Sequence, residues 1–418
     1  MTSLTNRKKG WIVVLAGLTI NLALGILYSW SIFKDAIQQS INSGEEGAFN
    51  WEIASLNDPY AVCILVFAFT MILAGKIQDK KGPRITASIG GALVGAGFIL
   101  LYFTTSYALW VLGFGVLAGL GIGFGYASAT PPAFKWFPAS KSGLIAGIVV
   151  SGFGVAPVYI APLATSLVNN YGIHNTMLIF GISFFVLVNL CAMLLKNPPA
   201  GYSTEESPKV ESKVSISNSS KDFSLSQIFK MPSFYLIWFI FFIGSGAGLM
   251  VIGSISGMAK SSMGDAAFFG VAIIAIGNAL GRVVAGFMSD KIGRVLTLFI
   301  LLIFQATLMF LSVTLIGDNT TAMIIVILAT LIGFNFGTNL SLFPTFTKAL
   351  WGMKNFGVNY GVVITAWGVG GFVFSRLSQT LFASSGSHNL SFIIAGSCLV
   401  LCAILSVILG RVQNNHLR

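Results

Sequence analysis

Long apolar runs separated by short polar breaks dominate the chain, and their lengths predict membrane-spanning helices. A bilayer core about 30 Å thick takes roughly 20 apolar residues in a helix. Twelve such segments follow one another, at 11–33, 57–77, 85–104, 107–130, 143–168, 174–195, 232–258, 266–288, 296–316, 321–346, 356–383 and 389–410. The first, Trp11 to Phe33, is too long for a signal-peptide core and reads as a span. One long polar stretch, Lys196 to Lys230, carries Pro198, Pro199 and a Ser/Glu/Lys-rich middle without apolar periodicity, the composition of a linker. It divides the pattern six and six. The expected organisation is an N-terminal six-helix bundle over 1–195, a cytoplasmic linker over 196–231 and a C-terminal six-helix bundle over 232–418.

Composition and charge sharpen that picture. Of 418 residues, 55% are hydrophobic and 9% charged, against about a quarter charged in a soluble domain. Nearly all Lys and Arg fall at the termini or in the even-numbered loops; Lys34, Lys260, Arg282 and Arg376 are the exceptions. The positive-inside rule then places both termini in the cytoplasm of a plasma or inner membrane. The formal charge of +11 is spread over membrane loops, which excludes a nucleic-acid patch. Cys63, Cys191, Cys398 and Cys402 lie in apolar runs without metal or redox spacing. No cofactor, metal or further protein partner is expected, and the chain reads as a monomer. His174, His388 and His416 lie in loops or the tail, and no nucleophile and base share a span, so an enzyme is not expected. No GxxxxGK[ST] loop is present either, leaving gradients or exchange as the energy source.

The two sides of the linker carry a common loop. Gly75-Lys76-Ile77-Gln78-Asp79-Lys80-Lys81-Gly82-Pro83-Arg84 follows the second span, and Gly286-Phe287-Met288-Ser289-Asp290-Lys291-Ile292-Gly293-Arg294 follows the eighth. Each places an Asp four residues after a Gly, with a basic residue next and another Gly three further on. Asp79, Arg84, Asp290 and Arg294 are the expected conformational residues, since each acid can pair with neighbouring cations or with a helix N-terminus.

With that repeat the chain resembles the major facilitator superfamily. Tyr28-Ser29-Trp30, Gly121-Ile122-Gly123-Phe124-Gly125-Tyr126 running to Trp136-Phe137-Pro138, and Asn355-Phe356-Gly357-Val358-Asn359-Tyr360-Gly361 resemble its oxalate/formate antiporter branch and the monocarboxylate transporters. The resemblance implies an all-α fold of twelve spans in two pseudo-symmetric bundles.

Arg282 lies mid-span, where a charge is costly unless it meets water, a partner or a ligand. No Asp or Glu stands in the middle of a span; Asp35, Glu45, Glu46, Glu52, Asp58, Asp265 and Asp318 gather near the outer face. A guanidinium fork matches a carboxylate, so Arg282 is the expected anion ligand. Asn278, one turn earlier, stands where monocarboxylate transporters commonly carry an Asp, and it cannot titrate. It can bond the substrate or another helix. Trp367 occupies the position of a second cation in the oxalate exchangers, which implies a monoanion such as lactate, formate or acetate rather than oxalate. The resemblance adds Tyr28 and Tyr126 as hydroxyl donors and Phe153, Phe336, Leu340 and Trp367 as apolar walls. Glycines 115, 119, 123, 277 and 281, spaced by four, predict close helix approaches.

The leading expectation is a secondary transporter of a small monocarboxylate, as proton symport; exchange, facilitated diffusion and a non-transporting sensor of the same fold are the alternatives.

Overall fold

The computed structural model describes residues 2–45, 47–199, 201–202, 222–263, 267–316 and 320–416, with side chains except at 2–6, 251–271 and 414–416. The linker's middle, the acids Glu46, Asp265 and Asp318, and the Lys260 side chain lie outside the described residues. Among the described residues every regular element is helical. Lipid offers no partner for backbone N–H and C=O groups, and a helix satisfies its own.

Eleven helices among them are long and apolar enough to cross a membrane. They are α1 (Arg7–Ser43), α2 (Asp58–Lys81), α3 (Pro83–Tyr102), α4 (Tyr107–Trp136), α5 (Ser142–Leu194), α6 (Pro232–Met263), α7 (Ala267–Ile292), α8 (Arg294–Leu315), α9 (Ala322–Trp351), α10 (Phe356–Ser385) and α11 (Asn389–His416). The fifth corresponds to two segments of the sequence pattern. Gly172 interrupts it at φ 79° and ψ 166°, a left-handed conformation open chiefly to glycine, and separates a limb over 142–171 from one over 173–194.

The apolar exterior belongs in lipid. Leu73, Ile85, Leu163, Phe185, Leu280 and Ile404 are between 44% and 56% exposed, a surface that would drive aggregation in water. Inside, the small-residue faces pack as their spacing predicts. A Cβ at Gly115 would lie 2.9 Å from Val62 of α2, and one at Gly123 would lie 2.8 Å from Thr70. Gly277 and Gly281 of α7 similarly meet Thr330 and Phe334 of α9.

Two seams join helices from opposite sides of the linker. Along one, Gly75 of α2 abuts Gly357 of α10, and Met71 and Ala68 meet Gly361 and Gly368. Along the other, Gly143 of α5 abuts Gly286 of α7, Gly147 meets the Arg282 backbone, and Gly154 meets the Asn278 and Arg282 side chains. Both seams are closed, and both bring backbone against backbone.

Three helices are irregular. α1 tightens to a 3₁₀ turn over Gly25–Ser29, where Gly25 approaches Phe153 O. Pro157, four residues on, lacks the N–H that would otherwise bond that carbonyl. α4 contains a π segment at Val111–Ala118, and α10 breaks at Ile364.

The segment between α1 and α2 folds inward. Phe49 and Trp51 are 4% and 6% exposed and pack on Trp110, with ring centroids 5.4 and 5.8 Å apart. Trp51 Nε1 donates to Thr105 O at 2.8 Å.

Both described ends of the linker are anchored. Arg84 Nε donates to Leu195 O at 3.1 Å and Trp136 Nε1 to Lys196 O at 2.7 Å, while Tyr202 packs on Trp136 at 5.2 Å. At the other end Asp222 accepts from Met353 N and Lys354 N at 2.9 and 3.0 Å, and Asn355 and Asn359 both donate to Phe223 O. Replacing Asp222 by Ala strands two turn amides near the surface, a loss of about 1 kcal/mol. The expected result is faster tryptic cleavage at Lys354 with membrane insertion unchanged; an identical cleavage rate would show that the anchor does not order the turn.

Candidate functional site

Arg282 is 0% exposed on α7. Its Nε donates to Asn278 Oδ1 at 2.9 Å, an i−4 contact along one helix face. Its Nη1 donates to Val150 O, on the first limb of α5. Nη2 is buried without a hydrogen-bond partner. Both acceptors are neutral oxygens, and among the described residues no carboxylate pairs with this cation. Among the described residues no opposite charge offsets the guanidinium, and Nη2 makes no full hydrogen bond, the combination that attracts an anion.

Three tyrosine hydroxyls lie within its field: Tyr28 on the 3₁₀ turn of α1, Tyr126 on α4 and Tyr360 on α10. Each is buried and meets no neighbour with full hydrogen-bond geometry, although the Tyr28 hydroxyl approaches the guanidinium and those of Tyr126 and Tyr360 approach each other, an arrangement that normally carries a penalty. A connected set of rings surrounds them. Phe153 contacts Tyr28 at 5.3 Å and Tyr126 at 5.6 Å between centroids, and Phe67 contacts Tyr126 at 5.6 Å and Trp367 at 5.4 Å. Trp367 Nε1 is likewise buried and unpaired. The unsatisfied groups are N–H or O–H donors, so the chemistry they offer suits an oxygen-rich, negatively charged ligand against apolar walls.

Of the residues named from sequence, the structure brings Arg282, Asn278, Tyr28, Tyr126, Phe153 and Trp367 into one neighbourhood. Phe336 and Leu340 are buried on α9; Phe336 packs against Gly248 of α6, and among the described residues no ring contact joins it to the cluster. The Asn278 Oδ1 accepts from Arg282 on its own helix and lies 2.8 Å from where a Cβ at Gly154 would stand and 2.9 Å from one at Gly337.

Sequence reasoning passed over Phe67, Tyr360, Gly154 and the Val150 carbonyl. Tyr360 stood inside the Asn359-Tyr360-Gly361 stretch and was within reach of that motif. Phe67 is one apolar residue among many in its span, and a backbone carbonyl has no residue signature.

The repeated loops pair across the linker. Asp79 accepts from Gly357 N and Val358 N at 2.8 and 2.9 Å, capping α10. Asp290 accepts from Gly143 N and Leu144 N, both at 2.8 Å, capping α5. Helix N-termini present free amides and a partial positive charge, so each contact is charge-assisted. Lys348 adds a cation over the Phe134 ring at 4.6 Å. Arg84 instead serves the linker end at Leu195 O, and Arg294 lies in the field of Asp290.

The Major Facilitator Superfamily family model matches residues 10–375. The chain belongs to the major facilitator superfamily. As a member of that superfamily it is a membrane transporter, and its relatives include carriers of organic anions. It is 26% identical over 406 residues to the oxalate:formate antiporter of Oxalobacter formigenes, covering 96% of this chain and 91% of the relative. It is 26% identical over 396 residues to monocarboxylate transporter 13 of Rattus norvegicus, covering 94% and 86%. Among solved structures it is similar in fold to the major facilitator superfamily transporter FucP in the outward conformation, with a TM-score of 0.67, 14% identity and coverage of 95% and 99%.

Proposed function

We propose that this major facilitator carries a small monocarboxylate across a membrane by alternating access, with the carboxylate on Arg282. The observation that carries the reading is the buried guanidinium whose Nη2 makes no full hydrogen bond and faces the hydroxyls of Tyr28, Tyr126 and Tyr360, of which Tyr28 already approaches the guanidinium and Tyr126 and Tyr360 approach each other. One carboxylate oxygen takes Nη2, the other a tyrosine hydroxyl, and the Phe67, Phe153 and Trp367 rings enclose the carbon skeleton. A single cation balances a single negative charge; a dianion would bring a second charge to Trp367, which offers only a neutral N–H. Phe336 and Leu340 complete the wall in this reading. The likeness to the oxalate:formate antiporter and to monocarboxylate transporter 13 supports an organic anion as cargo.

The same proposal takes Gly172 as the boundary between two spans, giving twelve in bundles over 1–195 and 232–418. Both termini and the 196–231 linker face the cytoplasm, as the Lys/Arg distribution favours, and a single copy suffices in the plasma or inner membrane. Asp79 and Asp290 act as latches that hold the seams closed on the loop side and release when the bundles rock apart. Arg84 and Arg294 steady the two loops. A co-transported proton would travel with the substrate or by water, since Asn278 does not titrate.

The test is initial uptake of radiolabelled L-lactate, formate and oxalate into proteoliposomes containing the purified protein, with and without an inward proton gradient. Uptake of lactate or formate in preference to oxalate is expected, and stimulation by the gradient would assign symport. Transport of oxalate alone would favour dianion exchange, and no uptake of any of the three would remove the carboxylate reading.

A further inference from the structure

The two oxygens that hold Arg282 come from different places. Asn278 Oδ1 belongs to the same helix, whereas Val150 O belongs to α5 on the other side of the linker. The α5–α7 seam closes over this pair: Gly147 lies against the Arg282 backbone, and Gly154 leaves room for the Asn278 amide and the guanidinium, 2.8 and 3.0 Å from where its Cβ would stand. Gly337 confines Asn278 from the α9 side. The amide is thereby kept with its oxygen toward Nε.

This arrangement decides what closing the protein around Arg282 requires. Burying a cation with no acceptors is strongly unfavourable, so a carrier with a bare guanidinium could close only over an anion. A carboxylate at position 278 would make closure easy but would cancel the charge that draws an anion in. A neutral amide and a backbone carbonyl avoid both outcomes: they satisfy two of the three nitrogens, leave the charge in place, and leave Nη2 for a ligand. The closed arrangement around Arg282 is thus reached with the chain's own groups.

We infer that Asn278 and the Val150 carbonyl are internal counter-ligands of Arg282 that let the carrier return without cargo, so that the protein performs net transport of its anion rather than obligatory one-for-one exchange. Asn278 is on this account a positioning residue: it acts through Arg282, not as the anion's main ligand. The inference rests on the proposed carboxylate site and adds the mode of transport to it. A substrate arriving at Nη2 draws the guanidinium toward the tyrosines and weakens its hold on Val150 O, which links binding to the seam between the bundles.

The experiment compares two rates of labelled L-lactate and formate uptake, with membrane potential clamped by potassium and valinomycin. Net uptake is measured into proteoliposomes with no internal carboxylate, and exchange into vesicles preloaded with the same unlabelled acid. Wild-type protein is expected to show net uptake without preloading. Asn278→Leu, which leaves Nε without an acceptor, is expected to slow net uptake about 10- to 100-fold more than exchange, the worth of one hydrogen bond to a buried charged group. Asn278→Asp restores the acceptor; it is expected to keep net uptake while raising the KM for lactate. Wild-type uptake that appears only in preloaded vesicles overturns the inference and leaves the carboxylate site standing, a result that needs no variant to fold. Equal slowing of both modes in Asn278→Leu, with Asn278→Asp behaving as wild type in folding and exchange, overturns it as well. Absence of uptake in either mode removes the carboxylate reading and the inference together.

Discussion

Uptake of a monocarboxylate falls by at least about 100-fold when Arg282 is replaced by Leu, and Lys at that position recovers only a small part of it. Hydrogen bonds to charged groups contribute about 1.5–3 kcal/mol each, and the substrate carboxylate loses its ion pair and at least one such bond together. At 1.36 kcal/mol per tenfold in rate, about 3 kcal/mol already gives the stated factor. Lys retains a charge but not the planar fork that serves Asn278 Oδ1, Val150 O and a ligand at once. The measurement is the initial rate at saturating and subsaturating lactate in proteoliposomes of matched protein content. An Arg282→Lys protein transporting at the wild-type rate would place the anion elsewhere in the molecule.

Gly281→Val is expected to be the most damaging change to helix packing, on the side of α7 that faces α9. A Cβ at Gly281 would run into the Phe334 carbonyl of α9, and the obstacle is backbone, which cannot rotate aside. The helices must separate, at a cost of about 3 kcal/mol or more given the range for overpacked cores. A marginally stable membrane protein then survives purification poorly. Its neighbour Leu280 is 53% exposed, so Leu280→Ala serves as the control that leaves melting nearly unchanged. Thermal unfolding in detergent, followed by the monodisperse fraction in size exclusion, separates the two; equal melting of Gly281→Val and wild type would mean that α7 and α9 do not pack this closely.

The positions that could be read from sequence share a property: their chemistry is a property of the side chain itself. Apolar run length located the helices, down to the interruption that Gly172 makes between 168 and 174. A mid-span charge singled out Arg282, and the motif stretches led to Tyr28, Tyr126 and Trp367. The residues that were not legible act through the main chain or through long-range packing. Val150 contributes a carbonyl that any residue could supply, 132 positions from its donor. Asp79 and Asp290 were recognisable as paired loop acids, but the amides they cap belong to Gly357, Val358, Gly143 and Leu144, chosen by tertiary approach and not by residue type. The contact of Phe336 with Gly248 of α6 is of the same kind, set by the approach of two helices and not by residue type.

The linker anchors have a topological consequence. Among the described residues, Tyr202 is the last to contact the N-terminal helices and Asp222 the first to contact the C-terminal helices. Each set of helices therefore holds its own end of the described linker. What aligns the two sets is the pair of glycine seams and the two Asp caps. In assembly terms the helices on the two sides of the linker meet as partners would: the interface specifies the pairing, and their belonging to one chain raises the effective concentration at which they meet.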